Sequence, residues 1–462
     1  MSHDGPSSGG GMGTQIVLAI SLLGVIASIR FLRDAFVPGS FGLPETAVGA
    51  AGSAMAAGFL FLFAFTLGGI AQLLGLPKIT GYLLGGMLVG PELLGTLSAR
   101  NIADLSVVNG FAIGVIAFVA GAELRPQLLR ERGGIILRIL VCEIGIVFVL
   151  LAAVALLLRE FVPFLAGLPF AAAVAMAFVF ASIATVHSPA VTIALLNEVR
   201  SSGPVTSTTL GVVVVADVLV VLLATLSIAG AQSVLSPEAG FDIAAIGTIA
   251  WELIGALVAG ALLGLLIDLY LRRVGTRLVI FVIFVIFFGY ELADVLHVEY
   301  MLFMLAAGFF VENISPVDGE PLIEAIQDAS VPAYVMFFSV AGGSIHLREL
   351  AMLWPVALGA VALRAGGLWL GTRIGAEWAQ AEPQVKRYTW MGLVSQAGVA
   401  LGLATVASRA LGEYGGQIQT MFLAMIAIHE IIGPVLFRTA LSRAGELPAQ
   451  AEEVHTVRQA HA

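Results

Sequence analysis

The chain has 462 residues, 59% of them hydrophobic and only 11% charged, with a formal net charge of −9. A mean hydropathy of +1.00 excludes a soluble globular protein and places the sequence among multi-span helical membrane proteins. The negative balance argues against a nucleic-acid surface, and the single cysteine, Cys142, excludes an intrachain disulfide.

Hydropathy predicts about fourteen helices, over 13–30, 47–74, 79–94, 107–124, 133–158, 168–197, 204–229, 243–270, 277–296, 298–313, 326–346, 349–378, 386–408 and 416–440. The N-terminal segment 1–46 has no basic n-region, so its apolar run from Ile16 to Ile29 reads as a retained extra helix. The third helix contains LLGGMLVG (Leu83 to Gly90), and the fourth ends in FVAGAELR (Phe118 to Arg125). Roughly 220 residues later the pattern returns as LAAGFFVE (Leu305 to Glu312) and SVAGGSIHLR (Ser339 to Arg348). One set of alternate loops carries twelve Lys and Arg residues and the other six, which places both termini in the cytoplasm. On that topology the third helix runs outward and the tenth inward, so the repeat is inverted. Inverted repeats are the signature of secondary transporters.

The sixth helix is interrupted by ATVHSPAVT, where Pro189 removes a backbone donor and Thr185, His187 and Ser188 supply polar atoms. The thirteenth is interrupted at Ser395, Gln396 and Gly398 in GLVSQAGVALG. Two broken helices at corresponding places in two halves point to a substrate site.

Between them, within the seventh helix, lies GVVVVADVLVVLLA (Gly211 to Ala224), apolar except for Asp217. An ionised carboxylate at that depth costs on the order of 2.5–3.5 kcal/mol, and such residues are functional by default. Asp217 is therefore the candidate group that alternately holds a proton and a cation. Arg364, in the middle of the twelfth helix, needs an anion, and the preferred partner is Glu143 on the fifth, leaving Asp217 free to titrate. Glu430 is a secondary candidate for either role, whereas Glu123, Glu252, Asp268 and Arg373 lie nearer helix ends and read as structural. His187 and His429 lack the ligand spacing of a metal site, and Ser188 beside His187 lacks the third group of an activated serine. The sequence does not read as an enzyme.

Taken in order, KITGYLLGGMLVGPELLG, the S-P-A-V break, the V-A-D-V-L helix, Arg364 to Gly367 and the interrupted thirteenth helix resemble the monovalent cation:proton antiporters, in particular the branch with the Kef-type and Nap-type exchangers. The resemblance implies an all-α polytopic antiporter fold with two crossed broken helices, as in NhaA-like proteins. It implies a homodimer in the cell (inner) membrane, in contact with lipid. A scaffold would comprise 47–124 and 277–346, a linker helix 243–270, and a mobile elevator core 133–229 and 349–440, with a short cytoplasmic tail at 444–462. Asp217 matches the essential ion-binding aspartate, Arg364 and Glu143 the core ion pair, and Thr185, His187, Ser188, Ser395 and Gln396 the supporting ion site. Relatives usually carry Asp, Asn or Gln before the essential Asp. Ala216 stands there in this chain, so a second acid is absent and an electroneutral one-to-one exchange is implied.

The expected function is secondary active exchange of a cation for a proton, with Na⁺ favoured over K⁺ or Li⁺ and no cofactor. The alternatives are a K⁺/H⁺ antiporter or K⁺ efflux system, and a non-transporting membrane sensor or scaffold that retains the fold.

Overall fold

The computed structural model describes residues 13–14, 16–24, 45–124, 126–235, 243–275, 278–315 and 320–448. The end of the first predicted helix and the tail beyond 448 lie outside them. Among the described residues all regular structure is helical: α1 (16–24), α2 (Glu45–Leu73), α3 (Lys78–Val89), α4 (Ala99–Asp104), α5 (Ser106–Glu123), α6 (Pro126–Leu157), α7 (Phe170–Ala184), α8 (Pro189–Val199), α9 (Pro204–Leu235), α10 (Ile243–Arg273), α11 (Leu278–Leu296), α12 (Tyr300–Asn313), α13 (Glu320–Gly343), α14 (Leu347–Trp378), α15 (Pro383–Gly392) and α16 (Gly398–Ala444).

Eight stretches among the described residues are long and apolar enough to cross a membrane, one of them the broken Phe170–Val199. Four shorter apolar helices accompany them: Lys78–Val89, Gly110–Ala122, Tyr300–Asn313 and Val331–Gly343. These four carry the repeated sequence segments, and their shortness goes with close packing at glycine. In the first of two compact units, the described residues up to Asn109 with Val331–Ile345, a Cβ on Gly86 of α3 would collide with the Ser339 carbonyl of α13. A Cβ on Gly342 of α13 would likewise strike the Leu83 carbonyl of α3. In the second unit, Gly110–Ser330 with the chain from His346 onward, Gly308 of α12 meets the Phe118 carbonyl and Gly121 of α5 meets the Leu305 carbonyl. The repeat maps α3 onto α12 and α5 onto α13, and these contacts map onto each other under the same exchange. Small residues that let backbones approach are how helices associate where lipid removes the hydrophobic drive.

One feature differs from expectation. The short α4 lies between predicted spans, held by a capping box in which Ser98 and Asn101 satisfy each other's backbone N–H groups. The separation predicted between the thirteenth and fourteenth helices falls at Gly412, where the backbone leaves helical geometry (φ 59°, ψ −131°) and α16 kinks into a second helical stretch. Glycine alone takes such a conformation without strain.

The first unit packs Phe59, Leu60 and Phe63 of α2 against Val89, Ile102, Met336 and Val340. In the second, α14 lies along α6, α7 and α9 pack together, and α10 lies along α12. Gly371 and Gly375 set the α14–α6 distance, since a Cβ at either would meet the α6 backbone at Glu143 or Ile139.

Candidate ion-binding site

Two helices stop in the interior of the second unit and restart. Pro169 precedes α7, which ends at Thr185 because Pro189, four residues on, cannot donate to its carbonyl. The chain runs extended through Val186–Ser188, and α8 begins with Ser188 as N-cap, its Oγ accepting from the Val191 N–H at 3.3 Å. The second interruption runs from Leu393 to Ala397, between α15 and α16. The breaks cross: the Ser188 N–H donates to the Ser395 carbonyl at 2.9 Å.

The ends that meet there carry opposite partial charge. The C-termini of α7 and α15 expose carbonyls, and Arg364, fully buried on α14, is committed to them. Its Nε donates to Ala184 O at 2.6 Å, and its Nη2 donates to Val186 O at 2.7 Å and Leu393 O at 3.2 Å. Its Nη1 donates to Val394 O at 2.7 Å and lies 3.5 Å from His429 Nε2. Gln396 Nε2 adds donations to Ala184 O and Val186 O, both at 3.1 Å. One guanidinium and one amide thus staple both carbonyl ends.

This changes the pairing expected for Glu143. Neither of its oxygens accepts a hydrogen bond from a described residue, and Arg364 gives all its donors elsewhere. The nearest basic group is His187, whose Nε2 lies 3.5 Å from Glu143 Oε2, with both side chains buried. Glu143 acts on Arg364 only through space. The physical reason is that four backbone carbonyls converge on Arg364 from both breaks and saturate a planar fork that a single carboxylate cannot match.

The positive ends face elsewhere. Pro189, first residue of α8, and Val399, second residue of α16, line a pocket together with Asp217, Val214, Val218 and Leu253. Asp217 is half-buried there and makes no hydrogen bond with any described residue. Helix N-termini offer partial positive charge to a carboxylate, which lowers the cost of holding it ionised without engaging its oxygens. A free carboxylate of this kind can take a proton or coordinate a hard monovalent cation. Ala216, fully buried, presents no polar group beside it.

The supporting residues come together at the crossing, yet none of them lines this pocket. Thr185 Oγ1 turns back to Ser182 O at 2.7 Å, Ser188 caps α8, Ser395 and Gln396 bind across the breaks, and His187 faces Glu143. Glu430 is buried on α16 beside His429 and does not line the pocket either. The pocket does contain an acid that sequence reasoning passed over: Glu299, the N-cap of α12. The sequence signal was an acid immediately before an apolar helix, ordinarily read as a surface cap.

The fold is shared with solved structures. The sodium proton antiporter MjNhaP1 from Methanocaldococcus jannaschii at pH 8 superposes with a TM-score of 0.63 at 17% identity, covering 86% of this chain and 100% of that one. An electron-microscopy structure of the same antiporter gives 0.60 at 20% identity, over 85% of this chain and 96% of that one. In sequence, the human transmembrane and coiled-coil domain-containing protein 3 is 23% identical over 408 residues, 81% of this chain. The chain spans 56% of that relative's length. Residues 59–442 match the family described as sodium/hydrogen exchanger, transmembrane, and the chain belongs to this family of monovalent cation:proton antiporters.

Proposed function

We infer that the protein is a secondary active Na⁺/H⁺ antiporter in which Asp217 holds one cation when ionised and one proton otherwise. The observation that carries this reading is the unpartnered Asp217 carboxylate in a pocket bordered by the first turns of α8 and α16. Arg364 is fully engaged by carbonyls and carries no proton to exchange. One titrating carboxylate in the pocket wall of the core gives one cation per proton, hence electroneutral exchange.

The same reading assigns 133–229 and 349–440 to a mobile core, 47–124 and 277–346 to a scaffold, and 243–270 to a linker. The core crosses as an elevator when Asp217 is neutralised by either ion, in a homodimer within the cell membrane and with both termini cytoplasmic. The core's density supports a rigid body: α6 against α14, α7 against α9, and the two breaks bonded to each other.

Reconstitution in proteoliposomes tests the function. With Na⁺, Li⁺ and K⁺ offered in turn, proton flux driven by Na⁺ is expected, abolished in Asp217→Asn and insensitive to an imposed membrane potential. Flux that follows the potential contradicts one-to-one exchange. Flux with K⁺ alone makes the protein a K⁺/H⁺ antiporter, and no flux with any ion contradicts transport and leaves the sensor reading.

A further inference from the structure

The pocket holds a second carboxylate that the exchange chemistry does not use. Glu299 caps α12, its Oε1 accepting from the Met301 N–H at 3.0 Å and its Oε2 from the Leu302 N–H. Its own N–H donates to the Glu252 carbonyl of α10 at 3.1 Å, and Trp251 Nε1 donates to Leu296 O at 2.9 Å. The side chain is therefore fixed in place. Burial works against its ionised form, and two backbone donors and the helix N-terminus offset part of that cost. The rest of the described pocket lining, Asp217 apart, is uncharged, and Asp217 and Glu299 lie within Coulombic reach of each other.

The repeat makes this acid one-sided. Aligning Leu83 to Gly86 with Leu305 to Gly308 sets Pro77 at the position of Glu299. The structure gives the two residues the same place: Pro77 is the N-cap of α3 and Glu299 the N-cap of α12. Proline offers no charge and no side-chain acceptor, so one copy of the repeat begins with a carboxylate and the other does not.

Resting on the exchange mechanism above, we propose that Glu299 is a cation-attracting residue for one face of the membrane only. Fixed on the scaffold, it stands near Asp217 when the core is presented to the side where α12 begins, the outer side on the inferred topology. When the core moves to the other side, Asp217 leaves Glu299, and the residue that corresponds to Glu299 in the first copy of the repeat, Pro77, carries no charge. The exchanger binds its cation more tightly from the outer face than from the cytoplasmic one. Fixed negative charge raises local cation concentration in a low-dielectric cleft.

The test measures Na⁺-driven proton flux in right-side-out and everted membrane vesicles carrying wild type, Glu299→Gln, Glu299→Asp or Asp217→Asn. Glu299→Gln keeps a cap acceptor and loses the charge. It is expected to raise the apparent KM for Na⁺ at the outer face by roughly three- to thirty-fold. At the cytoplasmic face the change stays below about twofold, as does the change in maximal rate, and Glu299→Asp restores the outer KM. An unchanged outer KM, or an equal rise at both faces, overturns the assignment. Wild type active and Asp217→Asn silent fixes the exchange chemistry independently of Glu299. A silent wild type overturns that chemistry and this inference with it.

Discussion

Ser188 and Ser395 are joined by a backbone hydrogen bond of 2.9 Å, so the two broken helices hold each other at their breaks. Four half-helix ends meet within a few residues of that bond. Arg364 and Gln396 take the carbonyl ends, and Asp217 is left facing the first turns of α8 and α16. The separation of the two tasks, one residue set for holding and one carboxylate for exchange, organises the predictions below.

Arg364 is expected not to tolerate lysine. A lysine ammonium has three donors on one nitrogen and cannot span carbonyls from residues 184, 186, 393 and 394. Arg364→Lys should cost about 2–4 kcal/mol through unpaired buried carbonyls, and Arg364→Met at least as much. Thermal unfolding in detergent checks this, and a Lys variant as stable as wild type contradicts the stapling role.

Gln396 separates geometry from polarity. Gln396→Ala removes two donations to carbonyls that Arg364 also serves, a loss of about 1–2 kcal/mol. Gln396→Glu turns an acceptor toward those carbonyls and should lower the melting temperature further than alanine does. Equal shifts would mean that the amide orientation carries no weight.

Gly371 and Gly366 form a matched pair on α14. A Cβ at Gly371 meets the Glu143 backbone, whereas one at Gly366 meets nothing within 4 Å. Gly371→Ala should destabilise by about 1–3 kcal/mol through overpacking, and Gly366→Ala should be neutral or stabilise by up to about 1 kcal/mol through helix propensity. Paired melting curves decide it.

Outside the spans, Glu382 receives the Arg132 guanidinium on both oxygens, which holds its carboxyl below the usual glutamate range. A depressed carboxylate contributes stability above its unfolded pKa and loses it as pH falls through the folded value. The gap in melting temperature between wild type and Glu382→Gln should therefore be constant above about pH 5 and close as the medium is acidified below about 4.3. The gap itself should be small, because the pair is partly exposed. A gap that widens on acidification contradicts the assignment.

Much of this site could be read from the chain. Asp217 stands out because nothing else between Gly211 and Ala224 is polar, and Pro189 marks its break because a missing backbone donor is written in the residue type. The repeat glycines were legible for the same reason. The partner of Arg364 was not. Sequence gives formal charges, and the anion supplied here is the electronegative end of two helices, which exists only once both have been broken. Glu143 on α6 then faces His187 in the break between α7 and α8, a proximity that no spacing encodes. Glu299 was hidden by its position, since a capping acid outside an apolar run is ordinarily solvated. The short α4 was missed because a six-residue helix set by one capping box leaves no hydropathy period.

The central claim is that one carboxylate, Asp217, binds either a proton or a cation. The most direct measurement is the apparent KM for Na⁺ as a function of pH in proteoliposomes. Competition at a single group predicts a KM that rises toward tenfold per pH unit on the acid side while the maximal rate reached at saturating Na⁺ stays constant. A KM independent of pH, or a maximal rate that falls instead, would show that proton and cation occupy different sites and would contradict the account.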